Sequence, residues 1–327
     1  MNTSSDTKYE KPRIIQALLD GFNTIANRPF LILLPVLLDL FLWFGPSWRV
    51  DDYFQPLIQG LFESPFFSSP EYSELFDSLK EIWEEITTNL DLAFSLHTLP
   101  IGVPSLMVSK PPFINPFGNA PVINLRTELQ IIMVWLLFVL TGYLLGSLYF
   151  RNISVNVITA GEDNTLNQFL KTFSQIILMP IILVFILIIL TIPALFLFTL
   201  INFISPTISQ FLMIAGGFAF LWILMPLIFT PHSVFLFKQN LIPAMMTSIR
   251  IVRTSMGKTA WYLLLCVLLI EGLNFLWMSP DVDNWLLLVG ILGHAFIVTG
   301  VIASSFYFFI DATKYAQSIM EKQVKTT

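Results

Sequence analysis

The sequence predicts an all-α, polytopic integral membrane protein with six transmembrane helices, interfacial amphipathic helices and one long outer loop. Three observations carry this. The 327 residues are 55% hydrophobic and only 12% charged, about half the charged share of a soluble chain. Mean hydropathy is +0.74. Six segments meet or approach the ~20 apolar residues that a bilayer core demands: 29–46, 129–150, 174–203, 209–231, 260–278 and 285–309.

No cleavable signal is expected at the start of the sequence, since Asp6, Glu10 and Asp20 precede the first apolar run and no small-residue cleavage site follows it. Residues 1–28 form a cytoplasmic N-terminus whose stretch IIQALLDGFNTIANR (14–28) gathers Ile14, Leu18, Gly21, Phe22 and Ile25 on one helical face. The first span, 29–46, carries Asp39 within LLPVLLDLFLWFGP. Residues 47–128 make the long outer connection. Within it PEYSELFDSLKEIWEEITTNLDLAF places Tyr72, Leu75, Phe76, Leu79, Ile82, Trp83, Ile86 and Leu90 at helical spacing, with acids on the other faces. That predicts one amphipathic helix of about six turns. The stripe needs a cover, and the acids disfavour an anionic membrane surface, so packing on the protein itself is expected. The charge-poor stretch 99–125 is expected to pack over the bundle.

The second span, 129–150, holds a GxxxG pattern at Gly142 and Gly146, and the sixth holds Gly293 and Gly300; all four are expected in close helix packing. The loop 151–173 contains the short amphipathic stretch NTLNQFLKTF before the third span, 174–203, in which Pro180 and Pro193 predict a kink or tilt. The fourth span is 209–231. The loop 232–259 contains NLIPAMMTSIRIVRTSMG, with Leu241, Ile242, Met245, Ile249, Val252 and Met256 together and Arg250 and Arg253 opposite, the pattern of a helix lying in the interface. Spans five (260–278) and six (285–309) follow, then a tail at 310–327. An interfacial helix before each odd span predicts three tandem units.

Orientation follows from Lys and Arg near the span ends. With the N-terminus inside, inner segments hold Lys8, Lys11, Arg13, Arg28, Arg151, Lys171, Lys238, Arg250, Arg253, Lys258, Lys314, Lys322 and Lys325. Outer segments hold only Arg49, Lys80, Lys110 and Arg126. Both termini are therefore expected on the cytoplasmic side of a prokaryotic inner membrane.

Several function classes drop out. A net charge of −5 excludes a generally basic nucleic-acid binder. Cys266 is the single cysteine, so no intramolecular disulfide forms, and His97, His232 and His294 lack metal-ligand spacing. Gly257-Lys258-Thr259 resembles the end of a phosphate loop, but position 252 is Val where that motif needs Gly. HExxH and GxSxG are absent. No enzyme, cofactor or metal is expected.

The remaining constellation is Asp39, Glu271 and His294, the ionisable residues inside spans. Burying such groups is expensive, so they face an interior, a partner or water. Glu271 and His294 lie roughly 10 and 15 Å deep in adjacent antiparallel spans, within reach of a hydrogen bond. Asp39 and Glu271 sit in parallel settings, DLFLWFGP and EGLNFLWMSP, and are expected as equivalent positions facing the bundle interior. Two roles stand open: structural capping, or a polar cavity for binding or transport.

The run AMMTSIRIVRTSMGKTAWYLLLCVLLIEGL, with SSFYFFIDATKY closing the last span, resembles a superfamily of prokaryotic six-span proteins. These are related to the membrane domain attached to some glycerophosphoryl diester phosphodiesterases. In that group an amphipathic A–x–x–x–S helix precedes a span and the last span ends in an aromatic-plus-Asp motif, here Phe306 to Asp311. The resemblance covers the last third of the chain best; the acidic insertion at 47–128 departs from it. It implies a membrane-domain architecture without the catalytic domain. The expected role is a non-enzymatic, membrane-organising protein that binds lipid or a protein partner through 47–128. A small secondary transporter with a path along Asp39, Glu271 and His294 is the alternative.

Overall fold

The computed structural model describes residues 11–63, 73–110, 114–157 and 165–326. Asp6, Lys8, Glu10, Glu71, Tyr72 and Asn164, used above, lie outside the described residues, as do 111–113 of the charge-poor stretch. The protein is all-α and polytopic. In chain order come α1 (Ile14–Asn27), a 3-10 turn (Pro29–Ile32), α2 (Leu33–Phe44), β1 (Ser47–Arg49), α3 (Asp51–Phe62) and α4 (Ser73–Asn89). Then follow β2 (Ile114–Asn115), β3 (Gly118–Asn119), β4 (Val122–Asn124), α5 (Glu128–Val157), α6 (Leu166–Ile204) and α7 (Pro206–Leu224). The last four are α8 (Thr230–Phe237), α9 (Leu241–Thr254), α10 (Met256–Trp277) and α11 (Leu287–Thr326).

Five helical stretches are long and apolar enough to cross a membrane: α5, α6, α7 with α8, α10 and most of α11. A sixth exists if α1 and the helical run Pro29–Phe44 count as one broken span. Alone, that run of sixteen residues extends about 24 Å, short of a ~30 Å hydrocarbon core.

The chain divides into two compact units. One joins Met1–Arg28, Phe150–Leu268 and Gly300–Thr327. Its core is aromatic: Phe229, Tyr262, Phe306, Phe308 and Phe309 are fully buried, and Tyr262 stacks on Phe308 with ring centres 4.3 Å apart. The aromatic motif that closes the last span thus fills this core, while Asp311 is half-buried. Helix α1 buries Ala17, Gly21 and Ile25 against α11, where Gly21 lets the backbones meet: a Cβ there would stand 2.6 Å from Gly300 O. Gly300 in turn receives the Phe22 ring.

Helix α9 turns Leu241 and Val252 of the expected stripe into the protein and leaves Met245 and Ile249 half-buried, as is Met256 at the start of α10. Its buried residues are Leu241, Ala244, Ser248, Ile251 and Val252, whereas Ile242 is exposed. The small Ala244 and Ser248 share this inner face where α9 closes onto the break between α7 and α8. There Ser248 Oγ donates to Pro226 O at 2.6 Å and accepts from Phe229 N at 3.1 Å. Backbone groups left open by the break are thereby satisfied.

The expected amphipathic helix before the third span is not separate. Thr165 caps α6 through Gln168 N, and the helix runs 39 residues with Pro180 and Pro193 inside it. Helix ends at Arg28 and Ser255 separate α1 from the run leading into α2 and α9 from α10, but nothing comparable interrupts α6. The three expected units therefore differ in construction. Helix α7 returns along α6, with Ser209 Oγ donating to Phe198 O and the Phe198 ring lying over Gly216. No residue in the most apolar stretch of α6 is buried.

The second unit joins Pro29–Tyr149 and Leu269–Thr299. The acidic helix, α4, spans seventeen residues and packs against α3, a helix that the sequence reading missed. Asp51 and Asp52 in its first turn suit the positive end of α3. Ile58 and Thr87 are buried, but Leu57, Leu61, Ile82, Trp83 and Ile86 are each about half exposed. Among the described residues, the later part of the stripe (Ile82, Trp83, Ile86 and Leu90) is therefore not packed on the protein as expected, whereas Phe76 and Leu79 are half-buried. Strand β1 pairs in parallel with β4, Ser47 opposite Val122, and β2 pairs with β3 as a short hairpin.

Candidate functional site

Asp39 sits in mid-α2, fully buried. Its carboxylate accepts from Ser105 Oγ at 2.5 Å, Met107 N at 3.1 Å and Leu106 N at 3.1 Å. Ser105 Oγ also accepts from Val108 N at 3.3 Å. A buried carboxylate is tolerated where such donors replace water. Here they come from the charge-poor stretch, and the apolar side chains around them explain why that stretch carries so few charges.

Part of the stretch does not lie over the bundle but enters it. Ile101, Val103, Leu106 and Met107 are buried, as are Leu92, Ala93 and Leu96 just before the stretch, whereas Leu99, Ile114, Phe117 and Val122 stay exposed. The entry path is cut by glycines of α5. A Cβ on Gly142 would stand 2.5 Å from Leu96 O, and one on Gly146 would stand 2.8 Å from Gly102 Cα. These glycines lie roughly 21 and 27 Å along α5 from Glu128. The GxxxG pattern therefore admits irregular backbone rather than a second helix.

Such backbone is stable within a membrane only when its polar groups are satisfied inside the protein. Tyr143 OH donates to Leu99 O at 2.6 Å, Thr98 Oγ1 to Ile101 O at 2.6 Å, and His97 Nδ1 to Val103 O at 2.8 Å. Further along, Lys110 Nζ donates to the carbonyls of Met278 and Pro280, and Trp43 Nε1 to Val282 O at 2.7 Å, tying the segment and α2 to the α10–α11 connection.

The other expected site residues do not join Asp39. Glu271 is exposed on α10, so its expected equivalence with buried Asp39 is absent. His294 is buried in α11 with no hydrogen-bond partner for Nδ1 among the described residues. Its electrostatic neighbour is His97 rather than Glu271. Gly293 receives the Trp277 ring, a side chain packing on the backbone of the next helix. Sequence reasoning missed His97, Gly102, Ser105 and Tyr143; the small residues Gly102 and Ser105 in an uncharged run were the available signal.

Between α2 and α5 lies a groove of about 400 Å³, lined by Leu34, Phe41, Leu96, Phe138, Thr141 and Leu145 among others. Its walls are almost wholly apolar, and Leu96 of the inserted segment contributes to them. The volume falls within the range of small-molecule sites. Among the described residues no three His, Cys, Asp or Glu side chains gather into a metal-binding set. Comparison with protein-family models, curated proteins and solved structures finds no match to this chain.

Proposed function

We propose that this protein is a non-enzymatic, lipid-binding component of a prokaryotic cytoplasmic membrane, with both termini in the cytoplasm. The single observation that carries the reading is the apolar groove between α2 and α5, sized for an acyl chain and walled in part by the inserted segment. The excess of Lys and Arg in the segments assigned inside supports the orientation. The half-exposed apolar band on α3 and α4 supports 47–128 as a recognition element for lipid or a partner protein. The likeness of the last third to a phosphodiesterase-associated membrane domain is in keeping with a module that carries no catalysis. A transporter reading has less support. Asp39 is engaged by three donors, Glu271 is exposed, and His294 makes no bond to either, so the trio lines no common path.

Native mass spectrometry of the purified protein tests this reading. Wild type should retain phospholipid, and Thr141→Trp, which fills the groove, should lose it while melting normally. A wild type that carries no lipid, or a Thr141→Trp variant that binds as well, would sink the acyl-chain assignment.

A further inference from the structure

A second cavity, of about 160 Å³, lies in the other unit where α6 begins beside the α8–α9 turn, lined by Gln168, Lys171, Thr172, Gln175, Lys238 and Gln239. The four α6 residues fall at the i, i+3, i+4, i+7 spacing of one helical face. Two of the six are ammonium groups and none is a carboxylate. Lys171 makes no ion pair among the described residues.

The three glutamines are polarised by the protein itself. Gln168 Oε1 accepts from Lys238 Nζ at 3.2 Å, and Gln175 Oε1 from Leu241 N at 2.8 Å. Gln239 Oε1 accepts from Ser233 Oγ at 2.7 Å and Thr247 Oγ1 at 3.1 Å. An ammonium and a backbone N–H can only donate, which fixes the amide orientation at Gln168 and Gln175. With their oxygens engaged, the amides are left with their donors. Gln175 Nε2 has a long contact with Ser174 Oγ at 3.4 Å, and the Nε2 of Gln168 and Gln239 have no acceptor among the described residues. The cavity is thus lined by N–H groups and positive charge. Its complement is a small anion with several acceptor oxygens.

Two more observations fit. Lys238 has φ 51, the left-handed region that non-glycine residues rarely occupy, and this is the turn that brings its ammonium to Gln168. The Arg151 guanidinium lies 5.2 Å from the Phe169 ring centre, adding a third cation beside the same turn of α6. Immediately along α6 the surface becomes apolar, with Leu178, Ile181 and Phe185 exposed. A phosphate held here would sit where the lipid-facing surface starts. Free phosphate would use the donors, but only a lipid would use the apolar surface too.

We propose that Lys171, Lys238 and the glutamines Gln168, Gln175 and Gln239 form a binding site for the phosphate of an anionic phospholipid, whose chains lie along α6. This site shares no residue with the α2–α5 groove, so either assignment can fail while the other stands.

The test measures binding of phosphatidylglycerol to the full-length protein in phosphatidylcholine nanodiscs, by native mass spectrometry and thermal shift. Lys238→Gly removes the charge at a backbone position that glycine accepts, and Lys171→Gln removes the other without changing the helix. Each should weaken the preference for phosphatidylglycerol about fivefold, and the pair more. Arg250→Gln with Arg253→Gln, charges outside the cavity, should change it less than twofold. If the arginine pair costs as much as the lysine pair, attraction is diffuse and the site is overturned. If inorganic phosphate stabilises the wild type through these lysines while phosphatidylglycerol does not, the anion is free phosphate and the lipid assignment is overturned.

Discussion

Gly102 and Gly146 touch backbone to backbone, so that a single methyl group on Gly146 would stand 2.8 Å from Gly102 Cα. No rotamer adjustment relieves that contact, because both sides are main chain. Gly146→Leu should therefore displace the inserted segment and lower stability by about 1–3 kcal/mol, as overpacking does. Thermal unfolding in detergent measures it. An unchanged melting temperature would mean that the segment does not enter beside α5.

Asp39 offers a second handle on the same segment. Asparagine keeps one acceptor oxygen but turns an NH2 toward a donor, so Asp39→Asn should cost about 1–3 kcal/mol. Asp39→Leu should cost more, since Ser105 Oγ and the amides of Leu106 and Met107 all lose their acceptor. A leucine variant as stable as the wild type would show that the carboxylate is not the fastening.

Helix α1 docks through Gly21, where an added methyl meets backbone of Gly300 and Ser304. Gly21→Ala should release the helix and speed amide hydrogen exchange across 14–27. Gly257→Ala is the control: a Cβ there meets nothing within 4 Å, so stability should hold or rise slightly. Equal behaviour of the two variants would contradict the docking.

Trp83 is 51% exposed on the acidic helix. Trp83→Asp should leave the melting temperature of the isolated protein nearly unchanged, with a cost below about 0.5 kcal/mol. Any loss should appear instead in partner or membrane association. A large drop in stability would place the side chain inside the protein after all.

No hydrogen bond or ion pair joins Glu271 to His294 among the described residues, so Glu271→Leu and His294→Leu should add in a double-mutant cycle to within about 0.5 kcal/mol. Coupling well above that would restore the hydrogen bond that their depths alone had made plausible.

The class and the five long apolar helices were legible because each depends on local composition, whereas the first span, 29–46, answers only to a helical run too short to cross a membrane by itself. Any run as apolar as 174–203 has one environment open to it, whatever surrounds it. Asp39 was also legible as an anomaly, since a carboxylate among leucines has to be answered somewhere. Its answer was not, because Ser105 is 66 residues away and nothing in the spacing couples the two. Depth arithmetic paired Glu271 with His294 but carried no information about rotation around the helix axes, which put one outside and the other inside. The glycines of α5 were correctly marked as close-approach points. Their partner was misjudged because GxxxG specifies room for a backbone, not that the backbone be helical.

The fastening of Asp39 also sets an order in time. A ribosome adding 5–20 residues per second delivers Ser105 roughly 3 to 13 s after Asp39. Through that interval the carboxylate has no protein donors and an apolar helix around it, so α2 cannot yet rest at its final depth. Only when residues 105–107 return does the position become tenable, and they can return only once α5 supplies the glycine-cut channel. The first hydrophobic segment to be synthesised is therefore among the last to be seated. A nascent chain halted before Gly142 should still present Asp39 to water.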